Sequence, residues 1–391
     1  MRIAKAAAIL LAIFAVPAGI ALIFHYVPLH DFVEYWTAAH ALVQKQNPYS
    51  VDLMMQLQQA RGWTEDQPLV VMSPPQFLPF LVPLGFLHSY ALARLIWFGL
   101  SAALLVFELF TLWSLYGGRS ESRWVALTVA ALFFPVWHCL AVAQIGPLLL
   151  LGVVGFLWLE ERGHPFLAGS ALALGTFKPH LFYLFWAALL LWSVARRELR
   201  VVLGAVTGVA IILGLALILD RSALSQYAAL VRSDYVWEYT SGAGGVLRVL
   251  FGRNTRWLQF APMLPGIVAL AWYWRKYRLQ WRWRDRLPVV LTLSVLTAAY
   301  GWPFDEVILL VPLVMIAVQC TYNAYDWRTG IAWLVGNFVV SLAAVLRYGD
   351  AAGMTVCAAG VLGYLIFDGL RAQRTREGDS DAEDDAVTEA A

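Results

Sequence analysis

The sequence predicts an all-α membrane protein of about twelve transmembrane helices. Three observations predict it. Of 391 residues, 60% are hydrophobic and only 14% charged, with a mean hydropathy of +0.65; a soluble domain carries about a quarter charged residues to cover its surface. The apolar residues come in runs of roughly 15 to 22, close to the ~20 that a helix needs to cross about 30 Å of hydrocarbon. The 18 Trp and 16 Tyr fit the aromatic belts found at membrane–water interfaces.

The elements follow in order. Behind Arg2 and Lys5 comes the apolar run Ala6 to Phe24, longer than a signal-peptide core and followed by further runs, so it reads as an uncleaved first span. Further runs cover 91–115, 124–142, 146–159, 165–177, 181–194, 201–219, 258–274, 287–300, 306–320, 330–346 and 351–369. Inside hydrocarbon each backbone N–H must be satisfied within its own segment, so these are helices. The stretch Pro74 to Leu87 is apolar but short, and it carries Pro74, Pro75, Pro79 and Pro83. Loop charge arbitrates. If this stretch does not cross, Arg119, Arg123, Arg162, Arg196, Arg197, Arg200, the cluster Arg275 to Arg286, and Arg371 to Arg376 all share the side of Arg2 and Lys5. If it crosses, they oppose that end. The non-crossing reading is adopted, as a re-entrant or surface-lying segment.

Residues 1–370 then form one polytopic domain in the plasma membrane, with both termini cytoplasmic and two long extracytoplasmic loops, 28–90 and 220–257. The Gly-, Asp-, Glu- and Ala-rich tail 371–391 is expected to be disordered and cytoplasmic. Net charge of +2 points to no nucleic acid, because the basic residues sit in short loops. Cys139, Cys320 and Cys357 lie in apolar runs without CxxC spacing and read as small buried hydrophobes.

Polar residues gather at the outer turns. Asp31 and Glu34 follow the first span, Gln144 lies in Ala143-Gln144-Ile145-Gly146-Pro147, Lys178 and His180 flank Pro179, and Asp305-Glu306 follow Tyr300-Gly301-Trp302-Pro303-Phe304. Each has a plain structural reading: Asp31 or Gln144 as a helix cap, Lys178 reaching a headgroup, His180 as a structural polar group, Asp305 paired with Arg248 or Arg253. Together, on one face, they mark a functional cavity, since charge at membrane depth is costly. Phe32 to Val43 repeats Phe32, Tyr35, Trp36, Ala39 and Leu42 at helical spacing, predicting an amphipathic surface helix stopped by Asn47-Pro48-Tyr49.

These residues resemble glycosyltransferase family 87. Asp31-Phe32-Val33-Glu34-Tyr35-Trp36 through Asn47-Pro48-Tyr49 is similar to the family's first-loop motif, as is Ser73-Pro74-Pro75 with Leu81-Val82-Pro83-Leu84. Gln144 before Leu148–Leu151, Lys178-Pro179, and Trp302-Pro303-Phe304-Asp305 resemble its later turns. The resemblance implies a GT-C-type bundle and an inverting transfer from a polyprenyl-phosphate sugar, often polyprenyl-phosphate mannose. It implies a catalytic acid in the first outer loop, here Asp31. The sequence departs from mannosyltransferases of that class that carry a His after a Trp at the later turn.

Inverting transfer needs a base for the acceptor hydroxyl and a stabilised leaving group. Asp31 is the expected base. Lys178 is expected to stabilise the departing phosphate with Arg248 or His180. Glu34 orients Asp31 rather than binding a metal, because no tight oxygen cluster is visible, and Gln144 and Asp305 bind sugar hydroxyls. No cofactor is expected beyond the polyprenyl-phosphate sugar as donor substrate; the partners are membrane lipid and a glycolipid or glycan acceptor. Rival classes are a flippase or transporter of lipid-linked substrates, which would show mid-span charges in paired repeats, a non-catalytic scaffold, and another lipid-linked transferase such as a polymer ligase or acyltransferase.

Overall fold

A computed structural model of the chain describes residues 31–238, 241–322 and 327–366. The first run, Ala6 to Phe24, and the tail 371–391 lie outside them. Among the described residues every regular element is helical. Three helices are long and apolar enough to cross a bilayer, Tyr90–Leu115, Leu199–Leu219 and Pro303–Tyr322, with 26, 21 and 20 residues. At 1.5 Å per residue they rise about 39, 32 and 30 Å.

Several other runs form shorter pieces. The run 124–142 is broken by a 69° bend: a helix ends at Ala131 and another, Phe134–Val142, starts anew with Pro135 in its first turn, where proline's missing N–H costs nothing, so together they make a broken span or a re-entrant pair. The run 165–177 is an α-helix Pro165–Ala171 continued by a 3₁₀ segment Leu172–Phe177. The run 306–320 begins as a 3₁₀ helix, Pro303–Leu309, before Leu310–Tyr322. Pro74 to Leu87 folds into a 3₁₀ turn and an eight-residue helix, Leu78–Gly85, which rises only about 12 Å.

The chain divides into two compact units. One comprises Met1–Ala103, Trp137–Ile145 and Ala210–Val236. Its helix Phe32–Val43 has the residues the sequence predicts. It is not half-solvated: Phe32 to Ala39, Ala41 and Leu42 are all buried, so the amphipathic expectation is corrected. The apolar spacing was real, but Glu34, Thr37 and the alanines between are also covered. Gly85 explains part of this. A Cβ there would come within 2.6 Å of the Ala39 carbonyl oxygen, so only glycine lets helix Leu78–Gly85 lie that close. The helix stops earlier than Asn47-Pro48, at Lys45 in the left-handed region (φ 58°), with Gln46 N–H closing onto the Ala41 carbonyl at 2.8 Å.

The first loop returns through 68–73, a stretch without regular structure whose backbone groups need partners. Side chains supply them. Buried Gln58 pairs twice with Leu69, accepting from its N–H at 2.9 Å and donating to its carbonyl at 2.6 Å. Tyr49 donates to the Ser73 carbonyl, Tyr227 to that of Met72 and Tyr235 to that of Pro68. Residues 220–236 of the second long loop therefore pack on the first rather than standing apart from it.

The other unit comprises Leu104–Val136, Gly146–Val209 and Trp237–Ala391. Its core centres on Trp283, 1% exposed, with Phe156, Phe185, Trp192 and Trp281 edge-on around it. Helix Tyr183–Arg196 is tied to helix Trp283–Thr297 by Ser294, which accepts from Leu184 N–H and donates to the Leu181 carbonyl at 2.7 Å. Gly169 meets the Val201 carbonyl in direct backbone contact, the small-residue packing of membrane helices.

Candidate functional site

In the first unit the site is built around Asp31. It stands at the N-cap of helix Phe32–Val43 without capping it through its side chain. Its carboxylate is instead turned to Gln144, whose amide Nε2 donates to Asp31 Oδ2 at 2.7 Å. Gln144 Oε1 accepts from the Tyr35 hydroxyl, also at 2.7 Å. Tyr35 lies one helical turn beyond Asp31, so one helix supplies both ends of the chain Tyr35–Gln144–Asp31. Because a carboxylate only accepts, the NH₂ end of the amide faces Asp31 and its oxygen faces the Tyr35 hydroxyl.

Gln144 is held with equal care. Helix Phe134–Val142 ends at Ala143, which takes a left-handed conformation (φ 61°) that costs a residue with a Cβ about 1 kcal/mol. Gln144 N–H closes back onto the Cys139 carbonyl at 3.0 Å, the Cys139 thiol donates to the Gln144 carbonyl, and Trp97 Nε1 donates to that of Ala143 at 2.8 Å. Strain at a non-glycine residue tolerated by surrounding bonds is a feature of functional turns. Glu34 is also buried, and its N–H donates to the Asp31 carbonyl at 3.1 Å.

In the second unit Lys178 and Asp305 form an ion pair of 2.6 Å, with side-chain exposures of 11% and 0%. Asp305 Oδ2 also accepts from Trp302 N–H at 3.1 Å, capping the 3₁₀ helix Pro303–Leu309. Trp302 and Phe304 stack at 7° with centroids 5.8 Å apart, and the ammonium stands 4.8 Å from the Phe304 ring and 5.9 Å from that of Trp302. Asp305 thus pairs with Lys178, where the sequence had left Arg248 or Arg253 open as partners.

His180 lies beside this pair. Its Nε2 is buried without a hydrogen-bond partner among the described residues, and its ring meets Tyr300 edge-on. Burial, and then the Lys178 charge, lower its pKa to about 3, so it is neutral at physiological pH. Arg248 is 3% exposed and spends its guanidinium on the Arg253 and Trp237 carbonyls and on Gln259 Oε1, bracing residues 237–259. Tyr35, Trp302 and Phe304 were missing from the expected site. Tyr35 was legible only as a member of the helix face, four residues after Asp31. Among the described residues no group of three His, Cys, Asp or Glu side chains is placed to hold a metal ion.

Comparison with known proteins gives one match. The model of a family described as Glycosyltransferase family 87 covers residues 72–304, more than half of the chain. The matched segment contains Gln144, Lys178, His180 and Arg248, and ends one residue before Asp305; Asp31 and Glu34 precede it. No curated protein and no solved structure matches the chain.

Proposed function

The chain belongs to glycosyltransferase family 87, and on that premise we propose that it moves a hexose, mannose first among candidates, from a polyprenyl-phosphate donor to an extracytoplasmic lipid or glycan acceptor. That it is a membrane glycosyltransferase follows from the family and its apolar helices; donor, sugar, acceptor and residue roles are our reading. The observation that supports the roles best is the Asp31 carboxylate held at 2.7 Å by the Gln144 amide, which Tyr35 orients in turn.

In this reading the acceptor oxygen attacks the anomeric carbon as the bond from that carbon to the phosphate oxygen breaks. The acceptor's proton passes to Asp31, and the bonding pair leaves with the polyprenyl phosphate. One displacement inverts the anomeric centre. Gln144, expected to bind a sugar hydroxyl, becomes a positioning residue: its bond to Oδ2 fixes the orientation of the carboxylate that takes the proton. Glu34 supports the same turn.

The leaving group needs charge stabilisation more than a proton. Lys178 donates to Asp305, which fixes the ammonium's place, and its positive charge is the group offered to the phosphate oxygens. His180, being neutral, contributes a hydrogen bond and not a charge. Arg248, with its donors engaged by the protein, holds the loop rather than the phosphate. No nucleotide-sugar or other cofactor is required, because the donor arrives activated in the lipid.

The test is transfer by purified protein in lipid, with radiolabelled polyprenyl-phosphate mannose and glucose offered beside a membrane acceptor extract. Label moving from the prenyl donor into acceptor, with mannose preferred, is the expected result. Label that moves only from a nucleotide sugar overturns the donor assignment.

A further inference from the structure

The second unit holds an apolar cavity of about 230 Å³ that the chemistry above does not use. Its walls come from helix Trp124–Ala131, one face of Leu310–Tyr322 from Leu313 to Thr321, the start of Trp327–Tyr348 and the end of Asp350–Ile366. For scale, an engineered apolar cavity of about 150 Å³ takes up benzene and stays dry.

Two features say what fills it. The first is that its walls recognise only hydrocarbon. Among the lining residues, Thr128 and Thr321 turn their hydroxyls back to the carbonyls of Trp124 and Val318, so neither is free for a polar ligand. Trp333 packs on Tyr364 with centroids 4.9 Å apart and ring planes tilted by 43°, forming an aromatic wall. Trp124 is 37% exposed, so the cavity reaches the surface there.

The second feature is charge at that mouth. Arg119 places its guanidinium 5.0 Å over the ring of Tyr322, which directly follows the lining residue Thr321, and Arg123, which directly precedes the lining residue Trp124, holds its guanidinium 5.4 Å over the ring of Phe110 on the neighbouring helix. Both arginines are exposed, and among the described residues neither pairs with a carboxylate; Glu121 in the same loop is exposed too. Tyr322 donates to the Gly117 carbonyl at 2.8 Å, which fixes the arginine-bearing turn against the cavity wall. An apolar slot beside two uncompensated guanidiniums matches one chemistry: an acyl chain carrying an anionic headgroup.

We propose that this cavity binds an acyl chain of an anionic membrane glycerophospholipid, whose phosphate is held by Arg119 and Arg123. Its lining includes none of Lys178, His180 and Asp305, and the proposal does not depend on the donor or acceptor assigned above. Arg supplies a planar fork for phosphate oxygens, while the ring faces of Trp333 and Tyr364 supply apolar area.

The test uses the full chain in detergent, titrated with phosphatidylglycerol and phosphatidylcholine of identical acyl chains, bound lipid being counted by native mass spectrometry. Phosphatidylglycerol should bind on the order of tenfold more tightly or better, as two arginines beside one headgroup imply. Arg119→Gln with Arg123→Gln should bring the two lipids within about twofold of each other. Gly330→Leu puts a side chain into the cavity, where a Cβ meets nothing within 4 Å, and should weaken both lipids. Equal binding of the two lipids, a preference that survives the arginine changes, or unchanged binding by Gly330→Leu overturns the proposal. So does displacement of phosphatidylglycerol by equimolar polyprenyl phosphate, which would assign the cavity to a prenyl lipid.

Discussion

Gln144 donates its side-chain amide to the Asp31 carboxylate at 2.7 Å, joining residues 113 positions apart in the chain. The bond fixes one carboxylate oxygen and so the direction in which the other points. Gln144→Leu keeps the volume and removes the bond. It should lower kcat by roughly 10- to 100-fold with KM changed much less, because displacement of a catalytic group by about 1 Å costs on that order. Steady-state kinetics with saturating donor checks the split.

Tyr35 acts one bond further out. Tyr35→Phe removes only the hydroxyl that orients Gln144, and a single hydrogen bond contributes about 0.5–1.5 kcal/mol. Transfer should fall roughly 2- to 10-fold, and the loss should vanish in a Gln144→Leu background, since the two act through one path. Losses that multiply in the double variant would separate Tyr35 from Gln144.

The Lys178–Asp305 pair is buried, so breaking it from one side strands a charge. Asp305→Asn should destabilise the protein by roughly 3–5 kcal/mol. Lys178→Met with Asp305→Asn should recover much of that stability but none of the transfer, because the ammonium proposed to meet the phosphate is gone. Thermal unfolding in detergent, read beside transfer activity, distinguishes the two effects.

His180 gives a prediction in pH. Its pKa of about 3 in the folded protein lies below the usual 6.5, first through burial and then through Lys178. The unfolded chain therefore takes up a proton between pH 6.5 and 3 that the folded chain refuses, and stability falls as pH drops through that window. Above 6.5 the contribution is complete. The rate profile between pH 6 and 8 should contain no His180 limb, so His180→Gln should leave its shape unchanged.

Much of this was legible in the sequence, for identifiable reasons. Helix Phe32–Val43 has the bounds its apolar spacing gives, since an alanine-rich run with no Gly or Pro leaves few alternatives. Pro74 to Leu87 reads as too short and proline-rich to cross, and it forms an eight-residue helix. The failures are of two kinds. Hydropathy cannot see a break inside an apolar run, so 124–142 looks like one span although the chain turns before Phe134-Pro135. Pairing is likewise invisible: the sequence offers Arg248 or Arg253 as partners of Asp305, and the fold gives it Lys178 instead, 127 positions away. The burial of Phe32 to Ala39, Ala41 and Leu42 is not readable from apolar spacing, because polar side chains on that surface find partners within it: Thr37 satisfies its hydroxyl on the Val33 carbonyl.

The most direct measurement is label transfer by Asp31→Asn beside wild type, with donor binding measured on the same preparations. Asparagine keeps the shape and still meets Gln144, but it cannot accept the acceptor's proton. The account expects transfer to fall at least about 100-fold while donor binding stays within a few fold, the loss typical of a removed general base. Transfer that persists near the wild-type rate would contradict the assignment of Asp31 as the base.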